Sequence, residues 1–165
     1  MKRRLVIAAG AAALLAGCGF ELRKAPEFAF DSIAVNAPTS SPIANELRRS
    51  LAADGRLKVL PASADTKQAR VILDLPTELR EKVVVGLNST GQVREFQLRT
   101  RIRFKLRTPQ GKELIPDTEM LQQRDISFNE AAVLSKEAEE AMLYRNMQTD
   151  LVQQLMRRLA ALKTL

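Results

Sequence analysis

Histidine and tryptophan are missing from this 165-residue chain, and cysteine and tyrosine occur once each. Without histidine, the Ser-His-Asp and Cys-His schemes for activating a nucleophile are excluded. Zinc sites built from His and Cys go with them. A single cysteine leaves no disulfide framework. The runs GxxxxGK[ST] and GxGxxG are absent, which removes the commonest phosphate-cradling loops. Aromatic residues are only 4% of the chain, few for base stacking, which argues against nucleic acid as a partner. An enzyme would be left with carboxylate and lysine chemistry. Glu137, Glu139 and Glu140 do cluster, but on a helical stretch rich in Lys and Arg, where a solvated face is the ordinary outcome. The expectation is a protein that is not an enzyme, with no metal and no dissociable cofactor.

What is present begins with that one cysteine. Met1-Lys2-Arg3-Arg4 is a short basic start, Leu5 to Leu15 is almost wholly apolar, and Ala16-Gly17 are small. This is the three-part secretory pattern. The apolar run falls short of the roughly 20 residues that a spanning helix needs. Leu15-Ala16-Gly17-Cys18 resembles the lipobox of bacterial lipoproteins. That resemblance implies cleavage before Cys18, S-diacylglycerol on its thiol and N-acylation of the new amine. Each buried methylene contributes about 0.8 kcal/mol, and more than one acyl chain makes anchoring stable. Gly19, rather than Asp, follows the cysteine; by the same resemblance the outer membrane is favoured. The expected organisation is a signal peptide over 1–17, a lipidated tether over 18–28 and a single α+β domain over 29–165. Loss of Lys2, Arg3 and Arg4 with the signal lowers the formal charge from +7 to about +4.

Within the domain, Asp31–Asn36 alternates and predicts a short strand ending at Ala37-Pro38. Thr39-Ser40-Ser41-Pro42 supplies a hydroxyl cap with Pro just inside a helix. Ile43, Leu47 and Leu51 share one face of it, and Asp54-Gly55 ends it. Arg70–Leu75 is a strand that Lys82–Leu87 continues or follows, and Pro76 marks a bend or an edge. Asn88–Gly91 and Thr108–Gly111 are turns. They bracket a strand over Val93–Thr108, and Glu113–Ser127 returns as another with Pro116 as an interruption. From about Glu130 to Leu162 there is no Gly or Pro. Tyr144, Met147, Leu151, Leu155, Leu159 and Leu162 recur at helical spacing, with Asn129 or Ser127 as the cap. The predicted fold is a two-layer α+β sandwich, a mostly antiparallel four-stranded sheet with two helices packed on one face.

The strand over Val93–Thr108 alternates most cleanly. Phe96, Leu98, Ile102, Phe104 and Leu106 share one parity, and Arg99, Arg101, Arg103, Lys105 and Arg107 the other. Successive side chains of a strand point to opposite faces, so one face is expected to be oily and the other strongly cationic. Arginine suits bidentate contact with phosphate or carboxylate. The bland alternative is a solvated face whose charges keep the sheet from pairing with other chains.

Together these residues resemble the LptE family of lipopolysaccharide-assembly lipoproteins. The resemblance is carried by Cys18-Gly19-Phe20-Glu21-Leu22-Arg23, the strand–helix pair, the three-strand middle, Leu134-Ser135-Lys136-Glu137, Glu140, Met142, Met147, Asp150 and Gln154–Leu159. It implies a plug in the lumen of the outer-membrane barrel LptD that assists barrel assembly. It also implies direct binding of lipopolysaccharide. Candidate contacts are Arg99, Arg101, Arg103 and Lys105 on the strand, and Lys136 at the start of the last helix. The implied location is the outer membrane, lipid-anchored through Cys18, on the periplasmic side and within the partner's lumen. A pilot or scaffold lipoprotein for another channel, such as a secretin, shares the anchor and the small domain and stands as the alternative.

Overall fold

The computed structural model describes residues 26–53, 55–129 and 132–164. The signal segment, Cys18 and most of the 18–28 tether lie outside the described residues. Five strands form one sheet in the order β2-β1-β3-β4-β5: β1 Ser32–Asn36, β2 Lys58–Val59, β3 Val71–Leu87, β4 Val93–Arg107 and β5 Glu113–Ser127. Helices α1 (Pro42–Ala52) and α2 (Val133–Ala160) pack on one face. The α+β sandwich is as expected, with one strand more. The two-residue β2 was missed because it is too short to alternate. The sheet is also mixed: β1 runs parallel to both β2 and β3, since the chain returns from β1 through α1, whereas β3, β4 and β5 are joined by tight turns and run antiparallel. Gly91 and Gly111 close those turns at φ 82° and 94°, where a side chain would be strained.

Local chemistry explains the helix α1. Ser41 is its N-cap and accepts from Ala44 N at 3.0 Å, with Pro42 in the first turn. Glu78 of β3 reaches the same end, taking the Ser41 hydroxyl at 2.5 Å, so a negative charge sits at the positive end of the helix. Ile43, Ala44, Leu47 and Leu51 are buried. They meet Ile33, Val35, Val71, Leu73, Leu75, Ile102, Phe104 and Leu106 from the sheet, and Leu151, Val152, Leu155 and Leu159 from α2. Each such side chain taken fully out of water contributes about 1.5–3 kcal/mol. The cap expected for α2 is not there. Ala132 occupies that position without a side-chain cap bond, and Ser127 instead accepts from the Lys136 ammonium at 3.0 Å.

Two prolines divide the sheet. Between Asp74↔Lys105 and Thr77↔Arg103, β3 carries one more residue than β4, and Pro76 lies in that bulge. Between Leu106↔Ile115 and Phe104↔Thr118, β5 carries the extra residue, and Pro116 lies there. Both bulges flank the same stretch of β4. Pairing of β1 with β3 ends at Asp74, so Pro76 withholds a donor where no partner strand follows. Below this level the sheet has five strands; beyond it only β3, β4 and β5 continue. That three-stranded tip has its own small core, Leu98, Ile126 and Met147, closed by Phe96, Leu143 and Tyr144. Tyr144 of α2 also donates to the carbonyl of Glu81 at 2.8 Å, on the edge of β3 that β1 no longer covers. Burial is the main reason that its phenol pKa is raised, with Glu140 adding to it.

Candidate functional site

The alternation of β4 sorts its side chains as expected. Leu98, Ile102, Phe104 and Leu106 are fully buried beneath the helices, and Arg99, Arg101, Arg103, Lys105 and Arg107 project from the uncovered face. The charge of that face differs from the expectation. Register brings acids from both neighbours onto it: Glu81 of β3 stands opposite Arg99, and Glu119 of β5 opposite Arg103. Arg101 lies 3.4 Å from Glu119 and 3.9 Å from Glu81, and Arg103 lies 2.8 Å from Asp117. Arg99 donates to the neutral Gln97 at 2.8 Å. Lys105 makes no ion pair among the described residues. The face is a charge lattice interrupted by apolar residues, with exposed Leu79 and Leu121 on either side of Arg101.

Arg107 is held at the root of this face. Asp74, 7% exposed, accepts from Arg107 Nε at 2.7 Å and from Asn36 Nδ2 at 2.6 Å. Burial pushes the Asp74 carboxyl up. The hydrogen bonds from Arg107 and Asn36 and the charges of Arg107 and Lys105 outweigh burial, so its pKa is lowered overall. The Asp74 bond raises that of Arg107 in turn. This clamp joins β1, β3 and β4 just below the bulge at Pro76.

Lys136 sits elsewhere. At the start of α2 it helps line a shallow cleft of about 70 Å³ with Lys82, Phe96, Ile126, Ser127, Phe128, Val133, Glu137 and Glu140. The strand cations and Lys136 are therefore not brought into one site. The Lys82 ammonium stands 4.4 Å above the Phe96 ring and 2.6 Å from Glu140, and Lys136 lies 2.8 Å from Glu139. Phe96 and Phe128 meet edge to face at 5.5 Å. Val133 in the lining is exposed, as are Val84, the cross-strand partner of Phe96, and Leu134, which follows Val133 and is 82% exposed. The cleft thus has an apolar floor and rim with two ammonium groups at its edge. Both pairs are only partly exposed, so an anionic ligand competes with Glu140 and Glu139 for the two ammonium groups. Lys82 was missed in the sequence because it belongs to an irregular stretch with no clean alternation. The signal that finds it is Phe96 directly beyond its cross-strand partner, Leu98. Among the described residues, no group of three His, Cys, Asp or Glu side chains could hold a metal ion.

A family model described as LptE, lipopolysaccharide-assembly, matches residues 30–159. The solution structure of an uncharacterized lipoprotein B from Nitrosomonas europaea is similar at 34% identity and a TM-score of 0.72, over 87% of this chain and 91% of that one. The rare lipoprotein B of Shewanella oneidensis (19% identity, TM-score 0.63, 79% of this chain and 94% of that one) shares the fold. So does a minor lipoprotein of Acinetobacter baumannii (15% identity, TM-score 0.62, 82% and 94%). The chain matches no curated protein sequence.

Proposed function

This chain belongs to the lipopolysaccharide-assembly LptE family, and on that premise we propose that it is a non-enzymatic outer-membrane lipoprotein, anchored through acylated Cys18. In this reading it plugs and helps assemble the LptD barrel, and binds lipopolysaccharide on its way to the surface. The observation that carries the ligand reading is the cleft at the start of α2. Lipopolysaccharide is an amphiphile with phosphates beside acyl chains. The cleft offers Lys82 and Lys136 beside Phe96, Ile126, Phe128 and Val133. Arg99, Arg101, Arg103 and Lys105 contribute a weaker, salt-sensitive contact from the open face, because Arg101 and Arg103 already face acids.

The barrel reading draws support from the open face itself. A sheet face of alternating charges and isolated leucines suits a large, mixed protein wall better than a purely anionic ligand. Its test is purification from outer membranes, where one large barrel protein is expected in equal proportion. A secretin ring in its place would favour the pilot alternative. For the ligand, titration with lipopolysaccharide compares Lys82→Ala/Lys136→Ala with Arg99→Ala/Arg101→Ala/Arg103→Ala. The first pair is expected to lose about tenfold in affinity and the triple variant about threefold, on the scale of one to two surface charge contacts. Unchanged binding in the first pair would defeat the cleft.

A further inference from the structure

Three cations without an ion pair among the described residues gather at the opposite end of the sheet from the cleft. Lys67, Arg70 and Lys112 line a pocket of about 360 Å³ together with Ala69, Thr108, Pro109 and Gln110. No acid lines it, and none of the three cations makes an ion pair among the described residues. The acids nearest in sequence hold the backbone around the pocket: Asp65 accepts from Lys67 N at 3.0 Å, and Asp31 accepts at 3.0 Å from the Ser32 hydroxyl that meets the Arg70 amide.

Each cation is set by a hydrogen-bonded backbone. Lys67 lies in a 3-10 turn (Thr66–Gln68) capped by Asp65. The amide of Arg70 donates to Ser32 Oγ at 3.0 Å. Lys112 follows the Thr108–Gly111 turn, and its amide donates to Thr108 Oγ1 at 3.2 Å. Three cations line one concavity, from two turns and the start of β3, an arrangement suited to the oxygens of a phosphate group.

The chain also enters the fold at this end. Phe30 is buried beside β1, Lys58 N donates to Asp31 O at 2.9 Å, and β1 begins next to Arg70. Between Cys18 and Phe28 an extended tether reaches at most about 35 Å. We propose that Lys67, Arg70 and Lys112 form a second binding site, for the phosphate of a phospholipid headgroup in the leaflet that holds the anchor. The chemistry of the pocket stands without the lipidated reading of Cys18; the choice of a lipid as the source of the phosphate rests on it.

The test uses the full chain, purified with its lipid into a nonionic detergent and titrated separately with dihexanoylphosphatidylglycerol and with inorganic phosphate. NMR follows the signals of Lys67, Arg70, Lys112 and Thr108–Gln110. Saturable shifts with the phospholipid are expected at these residues, with affinity falling about fivefold for each cation replaced in Lys67→Ala, Arg70→Ala and Lys112→Ala. These side chains are exposed, so the variants keep their melting temperatures. An exposed cation of α1 outside both sites serves as the control, and Arg49→Ala leaves the shifts at Lys67, Arg70 and Lys112 unchanged. Absence of shifts at this pocket overturns the site. Equal affinity for inorganic phosphate overturns the lipid source. Intact mass of the same sample reports acylation of Cys18, and a lipopolysaccharide titration reports the cleft, so failure of the broader reading is seen separately.

Discussion

Replacing Asp74 with Ala removes a buried charge that joins three strands. The carboxylate is 7% exposed and accepts from Asn36 at 2.6 Å and from Arg107 at 2.7 and 3.4 Å. Removing it breaks hydrogen bonds to a charged group, each contributing about 1.5–3 kcal/mol, and strands the Asn36 amide. The Arg107 side chain is 31% exposed and recovers part of its loss from water. A net cost of about 2–3 kcal/mol is expected at neutral pH, or roughly 6–10 °C in melting temperature for a domain of this size. The pH dependence has a definite sign. The Asp74 pKa is lowered in the folded chain, so its stabilisation is present above the unfolded carboxylate pKa of about 4 and is lost as pH falls through the lower folded value. Urea denaturation of wild type and Asp74→Ala at pH 7 and pH 3 measures both effects. A gap below about 0.5 kcal/mol at pH 7, or one that does not shrink at pH 3, refutes the clamp.

Thr100 is fully buried and its hydroxyl has no hydrogen-bond partner, so Thr100→Val is expected to stabilise the domain by about 1 kcal/mol, read from the denaturation midpoint. Tyr144→Phe removes the bond to the Glu81 carbonyl; it is expected to cost about 1 kcal/mol and to speed amide hydrogen exchange along residues 77–87 more than along 71–75. Asp117→Asn with Glu119→Gln removes the nearest acid from Arg101 and from Arg103, leaving Glu81 at 3.9 Å from Arg101, and lipopolysaccharide affinity at low salt should rise about threefold, an increase that vanishes at high salt.

Within single elements the sequence is a good guide. The Ser41-Pro42 start of α1, the buried face at Ile43, Leu47 and Leu51, and the run of Met147, Leu151, Leu155 and Leu159 all follow from local periodicity, because a helix repeats every 3.6 residues whatever surrounds it. The same holds for the two faces of β4. Pro76 and Pro116 announce irregularity but not its form. That both fall in bulges beside one stretch of β4, so that the tip departs from the base, depends on pairing register. The cap of α2 was misread because Ser127 and Asn129 have the right chemistry, but the helix begins four residues beyond Asn129. Lys136 was singled out by the resemblance of its neighbours to the family, whereas Lys82 joins the cleft lining only through the pairing of β3 with β4.

The sequence by itself excluded histidine chemistry, supplied the lipobox-like address at Cys18 and fixed which side of β4 carries the arginines, since these depend on residue identity and on a two-residue repeat. The tertiary structure decided what that charge amounts to. Glu81, Asp117 and Glu119 come from other strands, 14 to 20 positions from the arginines they face, and only register sets them against Arg101 and Arg103. Lys67, Arg70 and Lys112, unremarkable in the sequence, meet in space with no acid among them. A strand's alternation records direction, whereas net charge at a surface is a sum over neighbours that only the fold brings together.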